Sequence, residues 1–432
     1  MAEQILIGVI VIFSSMMFFM VLRFPVFFSL ALACITFMLA FPGTVPIVIL
    51  GQGMITGIDK MALVAVGFYF MLGEILNSTS LGDRLVGLCR SLIGWVPGSL
   101  SHINIIASMV FAGVSGSACA DTASVGSMMI PLMKNEGYPA GYSAAVTECS
   151  SVIGPIIPPS GPMIMLSIFM GCSVRKLFIG GIVPGILLGV VMMIVSYIIS
   201  KKRKFPCSSW NGWKDVWKHT KSGFLSLMLP VIVMVLLLTG VGTVVEIGAV
   251  SCLIALALAA FFGDISFKKI INMLINSAKS TGSILCIMSI SGVFTWILST
   301  IGVTKWLVTQ LTILGTSATM VVVSALIIFF FLGMLLESSI LQLIIFPILS
   351  PTVLSFGVEP IWFGVISTIM IIFALCTPPV GSLIYTTARL ANCSALDVIS
   401  ESVPFLISIL LVVILLLFVP SIVMFLPNLI MG

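Results

Sequence analysis

Charge is scarce in this chain. Only 8% of its 432 residues are Asp, Glu, Lys or Arg, while 60% are hydrophobic, and mean hydropathy is +1.30. Soluble globular domains carry about 25% charged residues, so a water-soluble fold is excluded. Histidine is scarcer still, with His102 and His219 far apart. The ten cysteines stand singly, with no C-x-x-C spacing. Neither a disulfide framework nor a transition-metal cluster is expected, and a Cys in an apolar run behaves as a small hydrophobe. The chain start lacks a basic segment and a small-residue cleavage site, so its first apolar stretch reads as a retained helix. The net charge of +5 is modest and sits in loops. It calls for no nucleic acid.

What the chain does have is long apolar runs. Ile5–Leu22, Ile182–Ser200 and Phe405–Val419 are long enough to cross a hydrocarbon core of roughly 30 Å. The fold class is an all-α polytopic membrane protein, with the lipid bilayer as its solvent.

Two proline breaks interrupt such runs. The first lies in Ser150-Ser151-Val152-Ile153-Gly154-Pro155-Ile156-Ile157-Pro158-Pro159-Ser160, the second in Cys376-Thr377-Pro378-Pro379-Val380-Gly381. Proline lacks the amide proton and clashes with a helical path. Broken backbone at membrane depth is tolerated only inside protein or against a polar cavity. Paired breaks in corresponding halves point to a transporter's binding site.

The basic run Lys201-Lys202-Arg203-Lys204 divides the chain. Residues 1–200 form a first repeat and 222–432 a second. Between them, 201–221 is a cytoplasmic linker in which Trp210, Trp213 and Trp217 would share one face of an interfacial helix. Each half repeats one order: two spans, a more polar lateral segment (Thr44–Lys60 or Asp264–Ser280), and a further span. A pair of short apolar stretches, a broken helix and a last span follow. The short pairs read as re-entrant hairpins, at about 103–134 and about 319–350. The broken helices fall at about 141–172 and about 361–390. Asp121 stands ten residues before Pro131, and Glu337 ten before Pro347, which supports the repeat.

This gives about ten transmembrane helices and two hairpins. With the linker cytoplasmic, fifteen Lys and Arg residues fall inside, and Lys60, Arg175, Lys176 and Lys305 fall outside. That agrees with the positive-inside rule. Both termini are then periplasmic. Five spans per half make the two repeats inverted in topology.

At mid-membrane the clusters bring together small residues, hydroxyls and carbonyls freed by proline. Those are hard oxygen ligands suited to Na⁺. Half-helix N-termini favour an anionic substrate. One Ser/Gly cluster reads more plainly as tight helix packing; two, each followed by a Pro-Pro break, point to a site. The intramembrane carboxylates are functional candidates by default. Asp121 and Glu337 match across the repeat at the hairpin tips, and Glu148 precedes the first break. Glu74 and Glu246 are open to a capping or pairing role. Arg389 reads as a topological anchor, with attraction of an anion as the alternative. A reading from another class is an intramembrane serine protease, since Gly113-Val114-Ser115-Gly116 matches the G-x-S-G of rhomboid-type enzymes. Neither histidine follows that serine on a later span, where the base would stand.

The motifs Gly116-Ser117-x-x-Ala120 with Ser124 and Gly126, Ser151-x-x-Gly154-Pro155 through Pro158-Pro159-Ser160, and Thr377-Pro378-Pro379-Val380-Gly381 resemble the large membrane subunit of tripartite ATP-independent periplasmic (TRAP) transporters. The resemblance covers essentially the whole chain. It implies a bacterial inner-membrane protein that works with a separate small four-helix membrane subunit and a periplasmic substrate-binding protein. It also implies Na⁺-driven uptake of an organic acid by an elevator motion. The sequence departs from the family at Val244-Val245-Glu246, where many members have Pro-Thr-Glu, and at Asp121, where an uncharged residue is frequent. The expected substrate is sialic acid or a C4-dicarboxylate. Expected Na⁺ ligands are Ser115, Ser150, Ser151, Gly154 and Pro155 at one site, and Gly333, Glu337, Thr377 and Gly381 at another. Substrate is expected near Ser117, Ser160, Glu337, Ser338 and Asp121. The alternative within transport is a related carrier that needs no binding protein.

Overall fold

The computed structural model describes residues 2–115, 117–207, 213–303, 306, 308–310, 317–378 and 381–431. It is 82% helical, with no strand among the described residues. The first half holds α1 (Ala2–Val21), α2 (Val26–Ala40), α3 (Val48–Ile58), α4 (Met61–Ser78), α5 (Leu81–Ile93), α6 (Ser99–Ser115), α7 (Ala118–Asn135), α8 (Ala140–Ser150), α9 (Gly161–Met170) and α10 (Val174–Arg203). The second holds α11 (Trp213–Thr239), α12 (Val244–Phe261), α13 (Phe267–Thr300), α14 (Ala318–Gly333), α15 (Ser338–Leu354), α16 (Pro360–Leu375), α17 (Ser382–Ala391), α18 (Ala395–Phe418) and α19 (Ser421–Met431).

Among the described residues, α4, α10, α12, α13 and α18 are each long and apolar enough to cross a membrane outright. Shorter apolar stretches lie in α6, α9, α14, α15 and α16. One layer packs α1, α2, α3, α4, α12 and α13 together, while α6–α9 and α14–α18 form a second body around the breaks.

Two elements differ from the sequence reading. The segment 264–280 is not a lateral piece separate from the next span. It runs into α13 as one helix of 34 residues, about 51 Å long at 1.5 Å per residue. No proline interrupts Ser280-Thr281-Gly282, and the Thr281 hydroxyl bonds back to the Ser277 carbonyl at 2.7 Å. In the first half, by contrast, Asp59 and Lys60 separate α3 from α4. Likewise the linker's helix is continuous with its span in α11, from Trp213 onward. Trp210 lies outside the described residues, as does the side chain of Trp213, while Trp217 is exposed. Further, α5 and α19 form helices that the sequence reading did not assign.

The first break is wholly buried. After α8 the chain makes a 3₁₀ turn over Ser151–Ile153 and stays irregular to Ser160. It can sit inside the protein because α10 offers glycine beneath it. A Cβ at Gly181 would run into the Ile156 carbonyl, and one at Gly185 into the Ile157 side chain. At the second break Gly381 adopts φ +37°, a backbone state L side chains rarely take, and starts α17.

Candidate functional site

The hairpin α6–α7 and the broken helix α8–α9 share a polar seam. Asn104 Nδ2 donates to Thr147 Oγ1 at 2.7 Å. One turn along α6, the hydroxyls of Ser108 and Ser150 lie 3.0 Å apart. Asn104 and Ser108 are four residues apart, on one helical face. Their spacing in an apolar run was the signal available in sequence, which the reading missed. The Ser150 and Ser151 hydroxyls both donate to the Thr147 carbonyl, at 3.1 and 2.8 Å.

Asp121 stands against this seam. It is fully buried, and neither carboxylate oxygen has a hydrogen-bond partner. The hydroxyls of Ser151 and Ser108 flank it, but their protons are engaged with Thr147 and Ser150. Gly154 faces it from the turn; a Cβ there would lie 3.8 Å from Asp121 Cβ. An unpaired buried carboxylate is costly unless a cation or proton meets it. The donor set present is oxygen only, which fits a hard cation. Gly154 and Pro155 continue the same buried turn, and Pro155 leaves one fewer amide to occupy its carbonyls.

A second feature joins the two hairpin tips. A cavity of about 60 Å³ is lined by Ser117, Pro155, Ser338, Ser339 and Gln342, and closed by Phe70 of α4 and Ile284 of α13. The sequence reading expected Ser117 and Ser338 there. It missed Gln342, whose only sequence signal was a lone amide inside Leu341–Ile345. Among the described lining residues there is no Lys or Arg. Ser117 also caps the N-terminus of α7, accepting from the Ala120 amide at 3.4 Å.

Other expected residues are placed elsewhere. Asp121 does not line this cavity; it belongs to the oxygen-rich seam. Ser160 is turned into the break, donating to the Pro155 carbonyl at 2.5 Å and accepting from the Met163 amide at 3.2 Å. Glu337 is exposed at its hairpin tip, near Cys119 of the other hairpin, and does not line the cavity. Gly333 packs on α16, where a Cβ would lie 2.6 Å from Ala374 Cβ. Thr377 Oγ1 bonds to the Phe373 carbonyl at 2.9 Å, with Gly381 close by. Gly116, Pro379 and Val380 lie outside the described residues, as does the side chain of Ser115. His102 lies on the same helix as Ser115, thirteen residues away, or about 20 Å along the axis. It is out of reach of that serine.

The other carboxylates resolve into roles. Glu246 closes a capping box with Thr243, accepting from its amide at 2.7 Å. Glu74 accepts from Asn276 Nδ2 at 2.8 Å, tying α4 to α13. Glu148 is fully buried; Ser402 of α18 donates to its Oε2 at 3.2 Å, while its Oε1 has no partner. Arg389 is exposed, away from the cavity.

The sequence profile of the tripartite ATP-independent periplasmic transporter DctM component matches residues 13–422. The sialic acid TRAP transporter large permease protein SiaM of Vibrio cholerae is 31% identical, covering 94% of this chain and 96% of that protein. The 2,3-diketo-L-gulonate TRAP transporter large permease protein YiaN of Escherichia coli is 30% identical over 87% and 88%. The C4-dicarboxylate TRAP transporter large permease protein DctM of Rhodobacter capsulatus is 27% identical over 97% and 99%. Among solved structures, the YdaH transporter of Alcanivorax borkumensis shares the fold, with a TM-score of 0.62 at 13% identity over 86% and 87% of the two chains. With its apolar helices, paired breaks and facing hairpins, the chain belongs to the DctM family of tripartite ATP-independent periplasmic transporter large membrane subunits.

Proposed function

We propose that this chain carries a small organic acid anion across the bacterial inner membrane in symport with Na⁺, the anion arriving on a periplasmic substrate-binding protein. A small four-helix membrane subunit completes the complex. The observation that carries the reading is the pairing of two features: a cavity with no Lys or Arg among its described lining residues, and, one helical turn from Ser117, a buried carboxylate at Asp121 without a partner among the described residues.

The physics supplies a reason for coupling. Without a cation, the charge of Asp121 opposes an anion in a low-dielectric cavity. With Na⁺ held by Asp121 and the oxygens of Ser108, Ser150, Ser151 and Gly154, the seam beside the cavity is neutral, and the cavity accepts the anion at the N-terminus of α7. The second Na⁺ would be held around Thr377 and Gly381. A cavity of about 60 Å³ holds a few waters and is too small for sialic acid. The serine tips at Ser117 and Ser338 therefore part to admit substrate.

The two halves run through one order of elements, and we read them as inverted repeats, which places both termini in the periplasm. The body of hairpins and breaks then moves as an elevator against the layer built on α4 and α13. The test is uptake into proteoliposomes holding this chain and its small subunit, with loaded binding protein outside. The probes are N-acetylneuraminate, 2,3-diketo-L-gulonate and succinate. One of them should accumulate along an inward Na⁺ gradient. Accumulation that persists with Na⁺ removed from both sides would sink the coupling, and uptake without binding protein would favour a simpler carrier.

A further inference from the structure

Gln342 is 3% exposed, lines the cavity between the hairpin tips, and its Nε2 has no hydrogen-bond partner. A side chain retained only for packing would not be of this kind. Leucine fills a similar volume without leaving a donor unmet, and a buried amide without a partner is a standing penalty.

The backbone beneath it is also unusual. Residues Leu341–Ile345 form a π turn within α15. Such turns widen a helix by one residue and concentrate at functional sites. The Leu343 carbonyl accepts from the Ser291 hydroxyl of α13. The turn that carries Gln342 is thus pinned from the neighbouring layer.

We infer that Gln342 is a specificity-determining residue whose side-chain NH₂ donates to an oxygen of the bound anion. The oxygen belongs to a carboxylate, carbonyl or hydroxyl at the end of the substrate nearest the second hairpin. The neighbouring hydroxyls of Ser338 and Ser339 can reorient as donor or acceptor. Gln342 instead carries a planar amide on a π turn whose backbone is held in place. An acceptor oxygen that enters the cavity takes the place of water at this donor, so the bond it gains depends on where the amide stands. That the acceptor is an organic anion rests on the uptake reading above.

The experiment uses the purified complex of this chain with its small subunit, in Na⁺ buffer, comparing wild type with Gln342→Leu and Gln342→Glu. Without anion, the leucine variant should unfold at the same temperature as wild type or higher. A lower unfolding temperature would show that the amide serves a partner in the protein, and would overturn the proposal. Titration with the anion that wild type accumulates, from N-acetylneuraminate, 2,3-diketo-L-gulonate and succinate, gives a half-saturating concentration from thermal stabilisation. It should rise about tenfold or more in the leucine variant, as for a lost hydrogen bond to a charged group. The glutamate variant, the same shape with the donor exchanged for a negative acceptor, should lose accumulation. An unchanged half-saturating concentration in the leucine variant would overturn the assignment. If wild type accumulates none of the three, the uptake reading fails, and the unfolding comparison without anion still decides whether Gln342 holds a free donor.

Discussion

The thiol of Cys376 lies 3.7 Å from the main-chain carbonyl of Glu148, so the two broken helices meet where each unwinds. Glu148 continues the link outward, accepting from Ser402 on α18. That hydroxyl also lies 2.8 Å from the Val398 carbonyl, so its proton is shared between that carbonyl and one oxygen of a wholly buried carboxylate. Ser402→Ala should therefore destabilise the protein by about 1–3 kcal/mol, the cost of stranding a buried acceptor. Thermal unfolding of the purified protein measures it. An unchanged transition would mean that Glu148 is satisfied some other way.

Gly181 sets how closely α10 can approach the first break. Gly181→Ala puts a methyl group onto the Ile156 carbonyl and within 2.7 Å of Met163 Cε. The carbonyl is backbone in a fixed turn and cannot rotate away, so the strain spreads into the break. A loss of about 1–3 kcal/mol or more is expected, as for an overpacked core. Gly51→Ala, at an exposed position of α3, is the control, since nothing lies within 4 Å of a Cβ there. Its stability should stay within about 0.5 kcal/mol of wild type. Equal unfolding temperatures for both variants would refute the close approach.

The breaks and hairpin tips were legible because proline, glycine and serine act locally. Pro155 removes an amide wherever it stands, and Gly381 takes φ +37° that other residues avoid. What stayed hidden depends on tertiary placement. Glu337 looked equivalent to Asp121 by its distance to a proline, yet one is exposed and the other fully buried. Sequence spacing sets a position along a hairpin but not which side faces the partner body. Gln342 was hidden for a related reason. Its orientation depends on a π turn, and the neighbour at its base, Ser291, comes from another part of the chain. The continuity of α13 was missed because Lys279 and Ser280 mark polarity, and polarity alone does not end a helix.

Glu246 offers a test of which carboxylates matter for transport. Its partner is the backbone: Thr243 and Glu246 cap each other at the start of α12. Thr243→Ala should lower stability by about 1 kcal/mol, the usual value of an N-cap. Transport by the folded fraction should keep the Na⁺ dependence of wild type. Uptake rates at several Na⁺ concentrations, normalised to protein in the membrane, separate the two effects. A shifted Na⁺ midpoint would give Glu246 a role in cation binding that its capping geometry does not suggest.

Asp121 makes the opposite prediction. Asp121→Asn keeps the shape and removes the charge from a group that has no partner to lose, so folding should be retained or improved. Under the proposed coupling, the cation then loses its one full negative charge among neutral hydroxyls and carbonyls. The Na⁺ concentration for half-maximal uptake should rise at least about tenfold, which corresponds to roughly 1.4 kcal/mol of cation binding. Ser151→Ala should shift it less, because a neutral hydroxyl offers the cation a dipole where Asp121 offers a full charge. The order of the two variants is the discriminating result. If Ser151→Ala shifts the Na⁺ midpoint and Asp121→Asn leaves it in place, the cation sits on the turn without the carboxylate. The unmet charge of Asp121 would then need a different occupant, with a proton as the remaining candidate.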